Sequence, residues 1–219
     1  MPKSEFLGAE DLGQTSQKVH VVIGSVRTID IAFTPAVKVV QTRKGSRDAC
    51  ERLEMGDTVD ERLAAFIGEQ TSFYLASASA NGQPYIQHRG GPPGFLRVLD
   101  DRTLGFADFR GNKQYISTGN FSENPKAFIF LMDYAHRRRI KLWGRVRVID
   151  DHPALTAKLL PKGYRARAEQ VILFDLAAWD ANCPQHIPQM IAAEDVRVAL
   201  ADRDARIAAL EAELAGYKH

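Results

Sequence analysis

Ser72-Phe-Tyr-Leu-Ala-Ser-Ala-Ser-Ala-Asn81-Gly82-Gln-Pro-Tyr-Ile-Gln87-His88-Arg89 is the stretch that decides the fold. Ser72–Ser79 reads as a strand, Asn81-Gly82 is the strongest short signal for a tight hairpin turn, and the chain returns over Gln83–Arg89. A second hairpin follows, with Phe95–Leu99, a turn at Asp100-Asp101 and Thr103–Phe109. Ala127–Met132 is a continuous apolar run suited to a central strand, and Gln170–Ala178 is a further strand. Arg138–Ile149 alternates. Ile140, Leu142, Val146 and Val148 face one way, while Arg139, Lys141, Trp143, Arg145 and Arg147 face the other. Strands in hairpin series, without alternating β–α–β units, predict a mainly β chain with flanking helices. The expected architecture is a small closed antiparallel barrel, with a twisted open sheet as the alternative.

Helices flank this core. Thr34 caps and Pro35 opens a helix that Gly45 stops, and Cys50–Asp57 reads as a charged connection. Thr58-Val-Asp-Glu61 fits a capping box, after which Val59, Leu63, Phe66 and Ile67 share one helical face. Pro153–Leu160 is a short helix. At the C-terminus Ala193, Val196, Leu200, Arg203, Ile207, Leu210 and Leu214 recur at spacings of three and four. Arg203 interrupts that seam, so the helix suits either docking on its own domain or pairing with a twin subunit. The expected organisation is an N-terminal extension with a helix (residues 1–57), a barrel domain (58–180) and a C-terminal segment with a helix (181–219).

The chain has 219 residues, 45% of them hydrophobic, with 29 Lys+Arg against 27 Asp+Glu. Such balance excludes a dedicated nucleic-acid binder. No apolar run approaches the roughly 18 residues of a membrane span, and the first residues lack the apolar centre of a signal peptide. Two cysteines, Cys50 and Cys183, exclude a disulfide framework, and a cytoplasmic setting is the expectation. The charge is uneven: Gln87–Arg147 holds twelve Lys/Arg and five Asp/Glu. A basic middle in a neutral chain points to a local anionic ligand or to solvated strand faces.

No dinucleotide fingerprint, Walker loop, nucleophile elbow or zinc-protease motif is present. Cys183-x-x-His186 lacks the second pair of ligands that a tetrahedral metal site needs, so no metal is expected. Gln87-His88-Arg89-Gly-Gly-Pro-Pro-Gly-Phe95 delivers an amide, an imidazole and a guanidinium and then breaks into a stiff loop. Its glycines allow close backbone approach to a ligand, and Arg89 can grip a phosphate. In Phe106-Ala-Asp108-Phe109-Arg-Gly111-Asn112-Lys113-Gln114 a strand ends and Asn112 caps a helix. A phosphate there gains free backbone N–H groups, the positive helix end and the Lys113 charge. Together the two stretches suggest one phosphate held by two loops.

These residues, with Glu123-Asn-Pro125 and Arg139-Ile-Lys-Leu-Trp-Gly144, resemble the FMN-binding split-barrel superfamily. The branch they most resemble is that of the pyridoxamine 5′-phosphate oxidase-related FMN-binding proteins. The resemblance covers about residues 62–180, and Gly90–Gly94 and Asn182–Pro188 look specific to this branch. It implies a six-stranded antiparallel split barrel, a homodimer, and FMN at the subunit interface. Gln87, His88 and Arg89 fall on the family's first FMN-binding strand. Gly111-Asn112-Lys113-Gln114 occupies the place of a phosphate-gripping Gly-Ser-Arg-Lys turn, so one of its two cations is replaced by Gln114. Asp108 falls at a flavin-contacting position, and Arg139 lies where a residue of the partner subunit reaches the isoalloxazine ring. Cys183, Gln185 and His186 are candidates for contact with substrate or the second subunit. The oxidase's C-terminal Trp and Arg elements have no recognisable match.

The function expected from this is an FMN-dependent oxidoreductase that accepts hydride from a small-molecule substrate or NAD(P)H. The alternatives are a flavin- or haem-binding sensor without turnover, and a relative that uses a deazaflavin.

Overall fold

The computed structural model describes residues 27–181 and 184–217. They fall into two compact units. One runs to Met132 and resumes at Arg139; the other joins Asp133–Arg138 to the C-terminal residues.

The first unit is built on one sheet. Its strands are β1 (Ser72–Ala78), β2 (Pro84–Gly90), β3 (Arg97–Val98), β4 (Thr103–Phe109), β5 (Lys126–Asp133), β6 (Arg138–Ile149) and β7 (Ala168–Ala181). The order across the sheet is β2-β1-β5-β6-β7-β4-β3, with β1 antiparallel to β2 and β5, β4 antiparallel to β3 and β7, and β6 antiparallel to β7. Six long strands and a two-residue edge strand make the split barrel: among the described residues no ladder joins β2 to β4 or β3, so the barrel is left open there. Gly82 takes the positive φ of 88° that the β1–β2 turn needs, which places Phe73 opposite Arg89 and Leu75 opposite Gln87.

Alternation then sorts the side chains. Phe73 and Leu75 on β1, Ile129 and Leu131 on β5 and Leu142 on β6 are almost wholly buried. They join Leu104, Phe106, Ile172 and Phe174 in a single core. Helix α3 (Glu61–Glu69) adds Leu63, Phe66 and Ile67 to it. A smaller cluster forms where Leu155 and Leu159 of α5 (Pro153–Leu159) meet Ala107, Val171 and Leu173.

Local signals account for most of the helix boundaries. Helix α1 (Pro35–Lys44) starts with Thr34 accepting from the Val37 N–H at 3.3 Å and ends at Gly45, φ 75°. Two expectations need correction. The charged connection begins later than Cys50, because Arg47–Glu51 forms a short helix, α2. Helix α3 is capped by Asp60 and not by Thr58: the Asp60 carboxylate accepts from the Leu63 N–H at 2.7 Å. Thr58 is held outside the helix because its carbonyl accepts from Trp179 Nε1 at 2.8 Å, and Val59 N–H donates to Asp101 O at 2.7 Å.

In the second unit, helix α6 (Ala193–Gly216) has no buried residue. No helix among the described residues is long and apolar enough to cross a membrane.

Candidate functional site

The site lies where the sheet is split. Arg89 on β2 and Asp108 on β4 are five places apart in strand order, yet the Arg89 guanidinium donates to Asp108 Oδ1 across the gap. Both side chains are largely buried, at 12% and 10% exposure. Register explains the approach. Arg89 sits opposite Phe73 and so points to the barrel side of β2, with its guanidinium 6.0 Å from the Phe106 ring centre. Asp108 sits opposite Gln170 of β7, and the register slips between Asp108 and Phe109, a bulge that turns the strand end.

Gln170 completes the arrangement. Its side-chain amide donates to Asp108 Oδ2 at 2.8 Å and to Thr118 Oγ1 at 2.9 Å. Thr118 belongs to α4 (Ile116–Glu123), and so does Ser117, whose hydroxyl donates to Gln87 Oε1 at 2.9 Å. One hydrogen-bonded chain therefore ties β2, β4, β7 and the start of α4 together. Burial raises the Asp108 carboxyl above its ordinary range, against the pull of Arg89 and of the Gln170 hydrogen bond, and Glu169 nearby adds to the rise.

Asn112 does not cap α4. Its carboxamide accepts from Gln114 N–H at 3.1 Å and donates to Gln114 Oε1 at 3.2 Å, closing a local turn. Tyr115 takes the cap position with φ 51° and no side-chain cap, and Lys113 has φ 60°. Two non-glycine residues in the left-handed region within three positions mark a turn held against its own preference. The Tyr115 hydroxyl donates to Glu169 Oε2 at 3.3 Å, and Arg110 lies 3.6 Å from the same side chain.

The Gly90–Gly94 loop also differs from expectation. Gly91 is close to a side chain, not held open for a ligand: a Cβ there would lie 2.7 Å from the Phe95 ring. Phe95 N–H donates to Pro92 O at 3.0 Å, so the loop folds over Phe95, which stacks on Phe73 at 5.4 Å.

Two adjoining hollows remain. One of about 150 Å³ is lined by Gln87, Arg89, Phe95, Phe106 and Asp108. The other, about 40 Å³, adds Asn112, Lys113, Tyr115 and Ser117. Of the residues expected from sequence, Gln87, Arg89, Asp108, Asn112 and Lys113 thus converge. His88 also borders the larger hollow, but its ring turns to the opposite face of the sheet, where it meets Tyr74 at 5.7 Å. Gln114 is exposed and bonded to Asn112. Arg139 lies on β6 beside the buried Ile140, so its side chain leaves from the outer face. Gln185 and His186 are exposed residues of the second unit, and Cys183 lies outside the described residues. The sequence reading did not single out Gln170, Ser117 or Thr118. The available signal was Gln170, an amide opening an otherwise apolar strand.

Whether FMN suits these residues is decided by their donors. Arg89 Nε is buried and has no partner among the described residues, a cost that a bound acceptor would remove. Lys113 makes no ion pair among the described residues, and the first amides of α4 have no partner within the helix. The two carboxylates at the cleft are matched by Arg89 and Arg110, which leaves Lys113 as the excess charge. This donor set fits an anionic cofactor.

Residues 59–183 match the family model described as pyridoxamine 5′-phosphate oxidase. Solved structures similar to the chain include HupZ of Group A Streptococcus, 17% identical, covering 61% of this chain and 99% of that one with a TM-score of 0.47. An FMN-binding protein from Syntrophomonas wolfei is 13% identical, covering 66% of this chain and 97% of its own, with a TM-score of 0.44. General stress protein 26 from Bacillus anthracis is 16% identical, covering 55% and 91%, with a TM-score of 0.42. No curated protein matches the sequence. The family match takes in every strand of the sheet, the split with its Arg89–Asp108 tie, and more than half of the chain, which belongs to the pyridoxamine 5′-phosphate oxidase family.

Proposed function

We propose that this protein is an FMN-dependent oxidoreductase whose cofactor is held at a homodimer interface. The observation that carries the reading is the cleft at the split, with the unpartnered Nε of Arg89 beside Lys113 and the start of α4. Lys113 and the α4 amides suit the phosphate, and Arg89, fixed by Asp108, offers its remaining N–H as a second donor. Gln87, steadied by Ser117, adds an amide that can orient a ring edge. FMN, when bound, supplies hydride and single-electron chemistry. The protein's part is to hold, orient and shield.

Two features support a second copy. The hollows, at about 150 and 40 Å³, fall short of the roughly 300–1,000 Å³ of cofactor pockets, so one chain encloses only part of such a ligand. Part of the outer sheet face, over β1, β2 and β5, also carries a cluster of apolar side chains. Tyr74 sits opposite both His88 and Phe130, and Ala76 opposite both Ile86 and Phe128. Phe128 packs edge-on to Trp143 at 5.0 Å, and Ile86 is 60% exposed. Arg139, whose buried Nε has no partner among the described residues, leaves β6 on the same face as Trp143. A continuous aromatic patch of this kind suits a protein interface.

The test is the visible spectrum of the purified protein, followed by identification of the chromophore released on heating. Flavin bands with FMN released are expected, together with NAD(P)H consumption when an electron acceptor is present. The Arg89→Ala/Lys113→Ala variant is expected to lose the flavin. Unchanged flavin content in that variant overturns the phosphate assignment. A Soret band or a released deazaflavin overturns FMN itself.

A further inference from the structure

Helix α6 spans 24 residues, about 36 Å of helix, and buries none of them. Val196, Leu200, Ile207, Leu210 and Leu214 are between 40% and 62% exposed. With Arg203 they recur every three and four residues, the a and d positions of just under three heptads. A stripe of this period belongs against another helix in a left-handed two-stranded seam.

We propose that α6 pairs with α6 of a second copy as a parallel, in-register coiled coil. The flanking charges select the occupant and its direction. In a parallel pair the g position of one helix meets the following e position of the other. Arg206 of one copy then meets Glu211 of the other, twice per pair, and Ala199 meets Asp204 without repulsion. Arg203, the one charged residue in the seam, inserts beside Asp204 of the opposite helix. The two types of side chain are already matched within one chain, where the Arg203 guanidinium donates to Asp204 Oδ1 at 3.1 and 3.4 Å. Two arginines and two aspartates therefore form a neutral polar layer that fixes register, as single polar core residues do in coiled coils. The antiparallel alignment that sets Arg203 against Ile207 brings Arg206 onto Arg206 and Asp204 beside Asp204, and is disfavoured. The helix lies outside residues 59–183, so its pairing does not depend on what the barrel binds.

Disulfide trapping in the full chain, carrying Cys50→Ser and Cys183→Ser, tests this pairing. Leu200→Cys is expected to convert mostly to a covalent dimer on mild oxidation, since equivalent positions of a parallel seam face each other within disulfide reach. Asp202→Cys, off the seam, is expected to stay reduced, and adding Ile207→Asp to Leu200→Cys is expected to suppress the cross-link. The pairing is overturned if Leu200→Cys does not cross-link, or if Asp202→Cys cross-links equally. It is also overturned if Leu200→Cys joins only a separate Leu210→Cys chain, which reports antiparallel helices.

Discussion

Arg89 and Asp108 close by a buried ion pair the gap that the sheet leaves between β2 and β4. Removing one partner strands the other charge in a place that water barely reaches, which costs about 3–5 kcal/mol, whereas removing both costs far less. In flavin-free protein, Arg89→Met is therefore expected to lower the unfolding free energy by about 3 kcal/mol. Arg89→Met/Asp108→Leu is expected to recover most of the loss. Denaturant midpoints for the parent, both single variants and the double variant measure it, and purely additive losses would mean that the pair does not hold the split together.

The same carboxylate gives the fold a pH dependence of definite sign. Burial holds the Asp108 carboxyl above its ordinary value of 3.8, so between that value and the raised one the folded chain binds more protons than the unfolded chain. Asp108 thus favours the folded state most below about pH 4, and this contribution is lost as pH rises through the raised value. Asp108→Asn cannot ionise. Its stability relative to the parent is expected to climb over that window and then level off. Unfolding free energies of both proteins at closely spaced pH values check this, and a difference independent of pH would show that Asp108 titrates normally.

The parts of the molecule legible in the sequence are those governed by neighbours in sequence. Asn81-Gly82 fixes the β1–β2 hairpin, and Thr34, Pro35 and Gly45 fix both ends of α1, because each acts within four residues of itself. Arg138–Ile149 alternates because one face of β6 is covered. What was hidden depends on distant residues. Thr58 loses the capping role to Asp60 because Trp179, 121 residues on, takes its carbonyl. Gln87, His88 and Arg89 read as one donor set, but a strand sends His88 to the other face. Gln170 matters only because β4 lays Asp108 opposite it.

Gly91 tests the reading of the glycine-proline loop as a packing element. Any Cβ there meets the Phe95 ring at 2.7 Å, and Phe95 is itself pinned between the loop and Phe73. Gly91→Ala is expected to cost about 1–3 kcal/mol as an overpacking change. Gly94→Ala is not the control, because Gly94 has φ 79°. The informative partner is Phe95→Leu: the double variant is expected to be more stable than the two separate losses imply, since the smaller side chain can withdraw. Thermal or denaturant unfolding of the four proteins decides it, and strict additivity would place the role of Gly91 elsewhere.

The outer sheet face supplies the last expectation. Phe130 is half-buried between Tyr74 and Phe128, so Phe130→Asp sets a charge in the middle of the aromatic patch without opening the core on the other side of β5. Pairing through α6 would mask the effect on assembly, so the variant belongs in a chain carrying Ile207→Asp. There the mass in solution is expected to fall from two chains to one, and bound flavin is expected to be lost with the partner, because the cleft of one chain is too small to enclose it. Lys158→Glu, an exposed change on α5, is expected to leave mass and colour unaltered. If the Phe130→Asp chain stays dimeric and yellow, the aromatic face is not the interface, and the cofactor must then be closed in by elements outside the split.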